Sequence, residues 1–203
     1  MMDSEEVYKV VLVGSSGVGK TSLVQKYHEN NFSGEVQPTV GAAYVRCKIM
    51  IDEENEVTIN IWDTAGQEKF QSLIPLYLRN ANACIFVFDM SLKDPLAELQ
   101  KLNELVTNNV DPDCLIFMAG NKIDLIDEQG KEQKIKLIQE SSKINQCKFF
   151  MTSAKTGDGV DQLFKNIAED LYNSAKNTTT QKKSNILSEI ISEDEKPKEK
   201  CQC

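Results

Sequence analysis

Apolar and polar positions along the chain follow two rhythms. Residues 7–14, VYKVVLVG, form an apolar strand-like run rich in β-branched residues and closed by glycine. It leads into GSSGVGKTS and then into SLVQKYHEN, which has helical spacing. YVRCKIMID and VTINIW are alternating runs on either side of the turn-like DEEN, which predicts a hairpin. ACIFVFDM and CLIFMAGN predict two more buried strands, and CKFFMTSA predicts a last one. LAELQKLNELV and KEQKIKLIQESSKI carry helical patterns, and VDQLFKNIAEDLYNSAK is a closing amphipathic helix. Strands that alternate with helices require crossovers, hence an α/β fold whose mostly parallel sheet is covered on both faces. The hairpin adds one antiparallel edge strand.

The pattern stops near residue 176. NTTTQKKSN is polar and aperiodic, and SEDEKPKEKCQC is charged, so residues 7–176 read as one domain and 177–203 as a disordered tail. Within the tail, Ile186, Leu187, Ile190 and Ile191 fall on one helical face. That stretch reads either as a chance apolar patch or as an element that docks on a partner.

Composition narrows the class. With 40% hydrophobic residues the chain can build a single core, and no apolar run reaches 18 residues. A net charge of -8 argues against nucleic acid as a partner. The start MMDSEEVYKV lacks the order of a secretory signal. Cysteines at 47, 84, 114, 147, 201 and 203 form no disulfide framework, which predicts a reducing, cytosolic setting.

The chemistry is concentrated in three short stretches. Residues 14–21, GSSGVGKT, match G-x-x-x-x-G-K-[ST] between a strand and a helix. Such a loop curls so that the backbone N–H groups of Ser15, Ser16, Gly17, Val18 and Gly19 point at phosphate oxygens, aided by the following helix dipole. Lys20 supplies an ammonium to the β and γ phosphates, Thr21 a hydroxyl to Mg²⁺, and Ser22 continues the loop into the helix. Residues 121–124, NKID, follow a strand, and a carboxylate at Asp124 accepts from both N1–H and the 2-amine of guanine. Adenine offers neither, so it would strand a buried acceptor at a cost of about 1–3 kcal/mol. SAK at Ser153, Ala154 and Lys155 completes the base site. In WDTAGQEKF, Asp63 ends a strand where it can hold Mg²⁺, Gly66 can approach a γ-phosphate, and Gln67 can orient a water as the catalytic residue.

GSSGVGKTS, PTVGAAY, WDTAGQE, NKID and SAK, in this order, resemble the Ras superfamily of small GTPases. VGAAY, INIW, KFQSL, YLRNA and FVFDMS resemble its Rab family, and GAAY is similar to the endosomal branch. The resemblance spans roughly residues 7–176 and implies a P-loop NTPase G domain with a six-stranded sheet. It implies that Thr39 closes over Mg²⁺ and the γ-phosphate and that Phe32 lies against the guanine. Asn121 would bond the base, Lys122 pack over it, and the Ala154 N–H meet its oxygen. Tyr44, Trp62 and Tyr77 match the aromatic trio on which Rab effectors dock; for Trp62, core packing is the competing role. Ser16 stands where Ras proper has a glycine, a departure shared by many Rabs.

The function implied is a switch in vesicle traffic that binds GTP and hydrolyses it to GDP slowly without an activating protein. A GTP-binding scaffold that barely hydrolyses and a small-substrate P-loop kinase are the alternatives. The kinase would need an arginine-rich lid, and only Arg46 and Arg79 are present. The implied partners are an exchange factor, a GTPase-activating protein, a GDP-dissociation inhibitor, a prenylation escort protein and effectors. For Cys201 and Cys203 a metal site lacks further ligands, a redox pair or chance is a second reading, and prenylation is the third. Lys200 stands fourth from the end, so the ending is not C-a-a-X, but it is similar to the doubly prenylated Cys-x-Cys ending of many Rabs. One lipid chain binds only marginally, and the tail lysines are offset by Glu and Asp, so the second cysteine serves as the second anchor. The predicted location is the cytoplasmic face of an intracellular membrane, endosomal by the GAAY resemblance, with an inhibitor-bound cytosolic pool.

Overall fold

The computed structural model describes the chain except residues 1–5, 35–36, 96–102, 105, 128, 131, 137, 139–146 and 195–203, and gives only the backbone for 178–194. Six strands form one sheet: β1 (Val7–Val13), β2 (Ala42–Met50), β3 (Glu56–Thr64), β4 (Ala83–Asp89), β5 (Leu115–Asn121) and β6 (Lys148–Met151). Their spatial order is β2-β3-β1-β4-β5-β6. The β2–β3 pair is antiparallel, with Tyr44 opposite Trp62, and every other pairing is parallel. The expected α/β architecture with one antiparallel edge is what forms.

The apolar run of β1 supplies both faces of the sheet, because successive side chains point to opposite sides. Val10 and Leu12 join a core under helices α1 (Lys20–Glu29) and α3 (Val160–Asp194), with Leu23, Phe164 and Ile167. Val11 and Val13 join a second core with Ile74 and Leu78 of α2 (Ile74–Leu78), together with Val106 and Ile138. Leu12, Leu23, Phe164 and Leu78 are fully buried, each worth about 1.5–3 kcal/mol. Tyr27 of α1 stacks on Phe164 of α3 with centroids 4.2 Å apart, which locks the two helices of that face together. The two helical patterns expected between β4 and β5 and before β6 are described only in part, and residues within 103–107 and 129–138 are helical.

The hairpin turn forms where DEEN predicts it. Asp52 Oδ1 accepts the N–H groups of Glu54 and Asn55 at 2.9 and 2.8 Å, an Asx turn that reverses the chain. The C-terminal helix, by contrast, continues to Asp194, past the composition change at 176 where irregular chain is expected. Residues 177–194 contain neither glycine nor proline, and extending an existing helix costs far less than starting one. The side chains of Ile186 to Ile191 lie outside the described residues, as do Cys201 and Cys203.

Candidate functional site

Parallel strands end at the same edge, so β1, β3, β4, β5 and β6 deliver their following loops to one end of the sheet. The three motif stretches, at residues 14–21, 62–70 and 121–124, meet there. The phosphate loop leaves β1 and closes into α1, whose first residue is Lys20. Close packing explains two of its glycines: a Cβ on Gly14 would lie 2.2 Å from the Val87 carbonyl oxygen, and one on Gly19 would lie 2.3 Å from Asn121 Nδ2, whereas Gly17 has open space and a left-handed φ of 80°. Lys20 is 5% exposed, and its ammonium donates to the carbonyls of Gly14 and Ser15 at 2.7 and 3.0 Å. The loop thus positions its own cation.

A cavity of about 280 Å³ lies between this loop, residues 32–34 and 37–39, and residues 64, 66 and 67. Ser16, Gly17, Gly19, Lys20, Thr21, Ser22, Phe32, Thr39, Gly66 and Gln67 all border it. Phe32 is 39% exposed at its mouth. Gly66 comes so close to the phosphate loop that a Cβ there would meet Lys20 Nζ and the Ser15 carbonyl oxygen at 2.5 Å. Gln67 precedes a 3₁₀ turn over Glu68–Leu73 and presents its backbone carbonyl to Phe70 N–H at 2.9 Å.

Three oxygen-bearing side chains converge beside the cavity. Thr21 Oγ1 donates to Asp63 Oδ2 at 2.6 Å and lies 2.9 Å from Thr39 Oγ1, which is 3.4 Å from the same carboxylate oxygen. Asp63 is 2% exposed, and among the described residues its Oδ1 has no hydrogen-bond partner. Burial raises its pKa, an effect only partly opposed by the Thr21 hydroxyl, the Lys20 charge and the Thr39 hydroxyl. A buried, orphaned carboxylate oxygen flanked by two hydroxyls is a hard-oxygen donor set, and it fits Mg²⁺.

The residues expected at the base form a second, contiguous group. Asn121 is 1% exposed and uses both ends of its amide within the protein. Its Nδ2 donates to the Val18 carbonyl at 2.9 Å, and its Oδ1 accepts the Ala154 N–H at 3.1 Å. It therefore ties the phosphate loop to the SAK loop. Ser153 Oγ donates to Asp124 Oδ1 at 2.6 Å, which orients the carboxylate, and Lys155 beside it is exposed. Lys122 has left-handed backbone, with φ 67°, and its ammonium pairs with Asp89 at 2.7 Å.

Sequence reasoning missed the supports of this arrangement. Asp89 ends β4, Thr64 Oγ1 donates to the Leu12 carbonyl at 2.6 Å, and Gly41 accepts the Ala65 N–H at 2.8 Å. The sequence marked Asp89 only as a polar residue closing an apolar strand within FVFDMS, with no role in the site. The aromatic trio is contiguous on the outer side of β2 and β3. Tyr44 meets Trp62 edge-on with centroids 5.6 Å apart, and Trp62 meets Tyr77 at 6.1 Å. Trp62 is half-buried and packs on the second core, so it serves the core and the surface together. Tyr44 is 50% exposed, and Leu76 nearby in chain to Tyr77 is 64% exposed.

Residues 9–173 match the family model described as Ras family. Over 163 residues the chain is 39% identical to the GTP-binding protein ypt5 of Schizosaccharomyces pombe, covering 80% of this chain and 77% of that protein. It is 36% identical over 203 residues to the GTP-binding protein YPT52 of Saccharomyces cerevisiae, covering 87% of each. The Ras-related protein Rab-17 of Mus musculus is 39% identical over 176 residues, or 85% of this chain and 79% of that one. A family match that runs from β1 into the last helix, joined to relatives of this kind, makes the chain a GTPase of the Ras family, in its Rab branch.

Proposed function

We propose that the chain is a GTP-timed switch for intracellular vesicle traffic, working on the cytoplasmic face of an endosomal membrane. The observation that carries this reading is the convergence of Thr21, Thr39 and Asp63. Those three residues join the phosphate loop to the two segments, about residues 29–43 and 63–77, whose arrangement has to follow the γ-phosphate. With GTP bound, Thr39 and Gly66 hold these segments closed; once the γ-phosphate leaves, both contacts lose their object and the segments relax. Mg²⁺, when bound, would supply charge neutralisation at the phosphates. Thr21, Asp63 and, in the closed state, Thr39 are the residues that would hold it.

Hydrolysis on this chain is carried by positioning. Lys20 sets a positive charge at the phosphates, and Gln67, neutral and both donor and acceptor, orients the attacking water. Neither Arg46, whose Nε donates to Asn60 at 3.2 Å on the hairpin, nor Arg79 after α2 borders the cavity. With no arginine supplied in cis, intrinsic turnover is of order 10⁻⁴ per second, the Ras scale, and an activating protein is needed. An exchange factor reverses the cycle by releasing GDP. Effectors read the closed state at the surface of Tyr44, Trp62 and Tyr77. Asp124, Asn121, Lys122, Ser153 and Ala154 select guanine. The residues beyond 176 act as a tether whose Cys201 and Cys203 carry prenyl groups, received from an escort protein and shielded in the cytosol by a GDP-dissociation inhibitor.

Single-turnover release of phosphate from preloaded GTP tests the switch. Gln67→Leu should keep its nucleotide and lose about tenfold or more in rate, as expected when a transition-state-only contact is removed. Equal rates would remove Gln67 from the chemistry.

A further inference from the structure

The NKID lysine is held from behind by Asp89 of the FVFDMS stretch, a residue to which the sequence assigned no role in the site. Asp89 closes β4 directly opposite Asn121, which closes β5, and the two strand ends are joined by the Met90 N–H donating to the Asn121 carbonyl at 2.8 Å. Asp89 is 8% exposed. One of its carboxylate oxygens, Oδ1, accepts both the N–H and the hydroxyl of Ser91 at 2.8 and 2.6 Å. That turn orients the carboxylate, and Oδ2 takes the Lys122 ammonium at 2.7 Å. The segment carrying the carboxylate is itself pinned, since Lys134 donates to the carbonyls of Met90 and Leu92 at 2.9 and 2.8 Å.

Lys122 needs such an anchor. Its backbone is left-handed, a region that L side chains other than Asn and Asp rarely occupy. Its ammonium ends a four-carbon stem that is flexible unless tied at the tip. Tying the tip to Asp89 leaves the apolar stem as the part of the side chain available to a purine face. An ammonium spent on Asp89 is also not spent on the phosphates, which Lys20 serves.

We infer that Asp89 is a positioning residue of the guanine site, fixing Lys122 against the base and, through it, setting how long the nucleotide stays bound. This rests on the assignment of Lys122 to the base. Burial by itself would raise the Asp89 pKa, but its bonds to Lys122 and Ser91 outweigh that and lower it, so the anchor is charged at neutral pH. The pair therefore acts as a fixed strut in both nucleotide states, and it should slow the loss of GDP and GTP alike.

The test is a double-mutant cycle on the dissociation rate of a fluorescent GDP analogue from the Mg²⁺-loaded full chain. Asp89→Asn should release the nucleotide about tenfold faster, the scale of one charge-assisted hydrogen bond. Lys122→Ala should be faster than wild type, and adding Asp89→Asn to it should change nothing more. Asp89→Glu, which restores the charge, should recover part of the slow rate. Independent, multiplying effects of the two substitutions would overturn the inference, because Asp89 would then act through the strand end and not through Lys122. A wild-type rate in Asp89→Asn beside a fast Lys122→Ala would overturn it while leaving the base-site assignment intact. A wild-type rate in Lys122→Ala would remove that assignment and the inference with it. Should Asp89→Asn fail to fold, exposed Ser91→Ala loosens the same carboxylate. It should give a smaller acceleration that disappears in the Lys122→Ala background, and an acceleration that persists there, or none in either background, overturns the inference.

Discussion

Asn121 and Asp124 stand three residues apart and do different work. Asn121 is buried and spends its amide on the Val18 carbonyl and the Ala154 N–H, so it braces two loops against one another. Asp124 is exposed, and Ser153 orients its carboxylate. Asp124→Asn exchanges a two-acceptor group for one that also donates, which suits xanthine, whose C2 bears a carbonyl. Guanine-nucleotide affinity should fall by about tenfold or more and xanthosine triphosphate should be favoured, as measured by competition binding; unchanged guanine affinity would dismiss the assignment. Asp63 makes a prediction of the opposite electrostatic kind. Its folded pKa lies above the ordinary value, so the native state holds a proton longer than the unfolded one, and its contribution to stability declines as pH rises from the ordinary carboxyl range through the folded value. A cation relieves the buried charge. Added Mg²⁺ should therefore raise the melting temperature more at pH 7 than at pH 4, and Asp63→Asn should abolish the difference. These motif residues were legible in the sequence because each motif is contiguous. Their partners were not, since the Asn121–Val18 bond spans 103 residues and the Lys122–Asp89 bond spans 33.

At the scale of elements, strands were easier to read than the limits of helices. β1 to β6 follow the apolar and alternating runs, and the continuous run of β1 feeds both faces, Val10 and Leu12 to one core and Val11 and Val13 to the other. The far limit of α3 lies at Asp194 because helical backbone needs no apolar face once it has begun, whereas the sequence reading relied on that face. The start of α3 depends on Gly159, which has φ 69° and on which a Cβ would lie 2.0 Å from the Met151 carbonyl oxygen. Gly159→Ala should destabilise the protein by about 2–4 kcal/mol in urea denaturation, since strain and a backbone clash add. A loss under half of the lower figure would show that the β6–α3 connection can shift to make room. Tyr172 of the same helix donates to Asn55 in the hairpin turn, and Lys176 lies 4.1 Å above its ring. The hairpin that bears Tyr44 and Trp62 is thus tied at its far end to the helix that leads into the tail. No periodicity in either segment predicts that contact.

Across the whole molecule, the proposed membrane attachment makes its own prediction. Among the described residues no helix is long and apolar enough to cross a membrane, and the tail's lysines are matched by its acids. The proposed lipid attachment at Cys201 and Cys203 would need both chains, because one is marginal. Replacing both cysteines with serine should move the protein from the membrane pellet to the supernatant on fractionation, with GTP hydrolysis in solution unchanged; persistence in the pellet would refute the anchor. The residues assigned to phosphate, metal and base, the alternation of strands and helices that builds a parallel sheet, and the terminal thiols are local properties of the chain, written in spacing and side-chain chemistry. The supports are not local. That Asn121 braces the phosphate loop, that Asp89 holds Lys122, that Asp63 is buried with one oxygen unpaired among the described residues, and that Trp62 belongs at once to the core and to the outer aromatic patch all arise when parallel strands end at one edge. Only there are residues from distant loops close enough for hydrogen bonds and ion pairs, whose reach is a few ångströms, to join them.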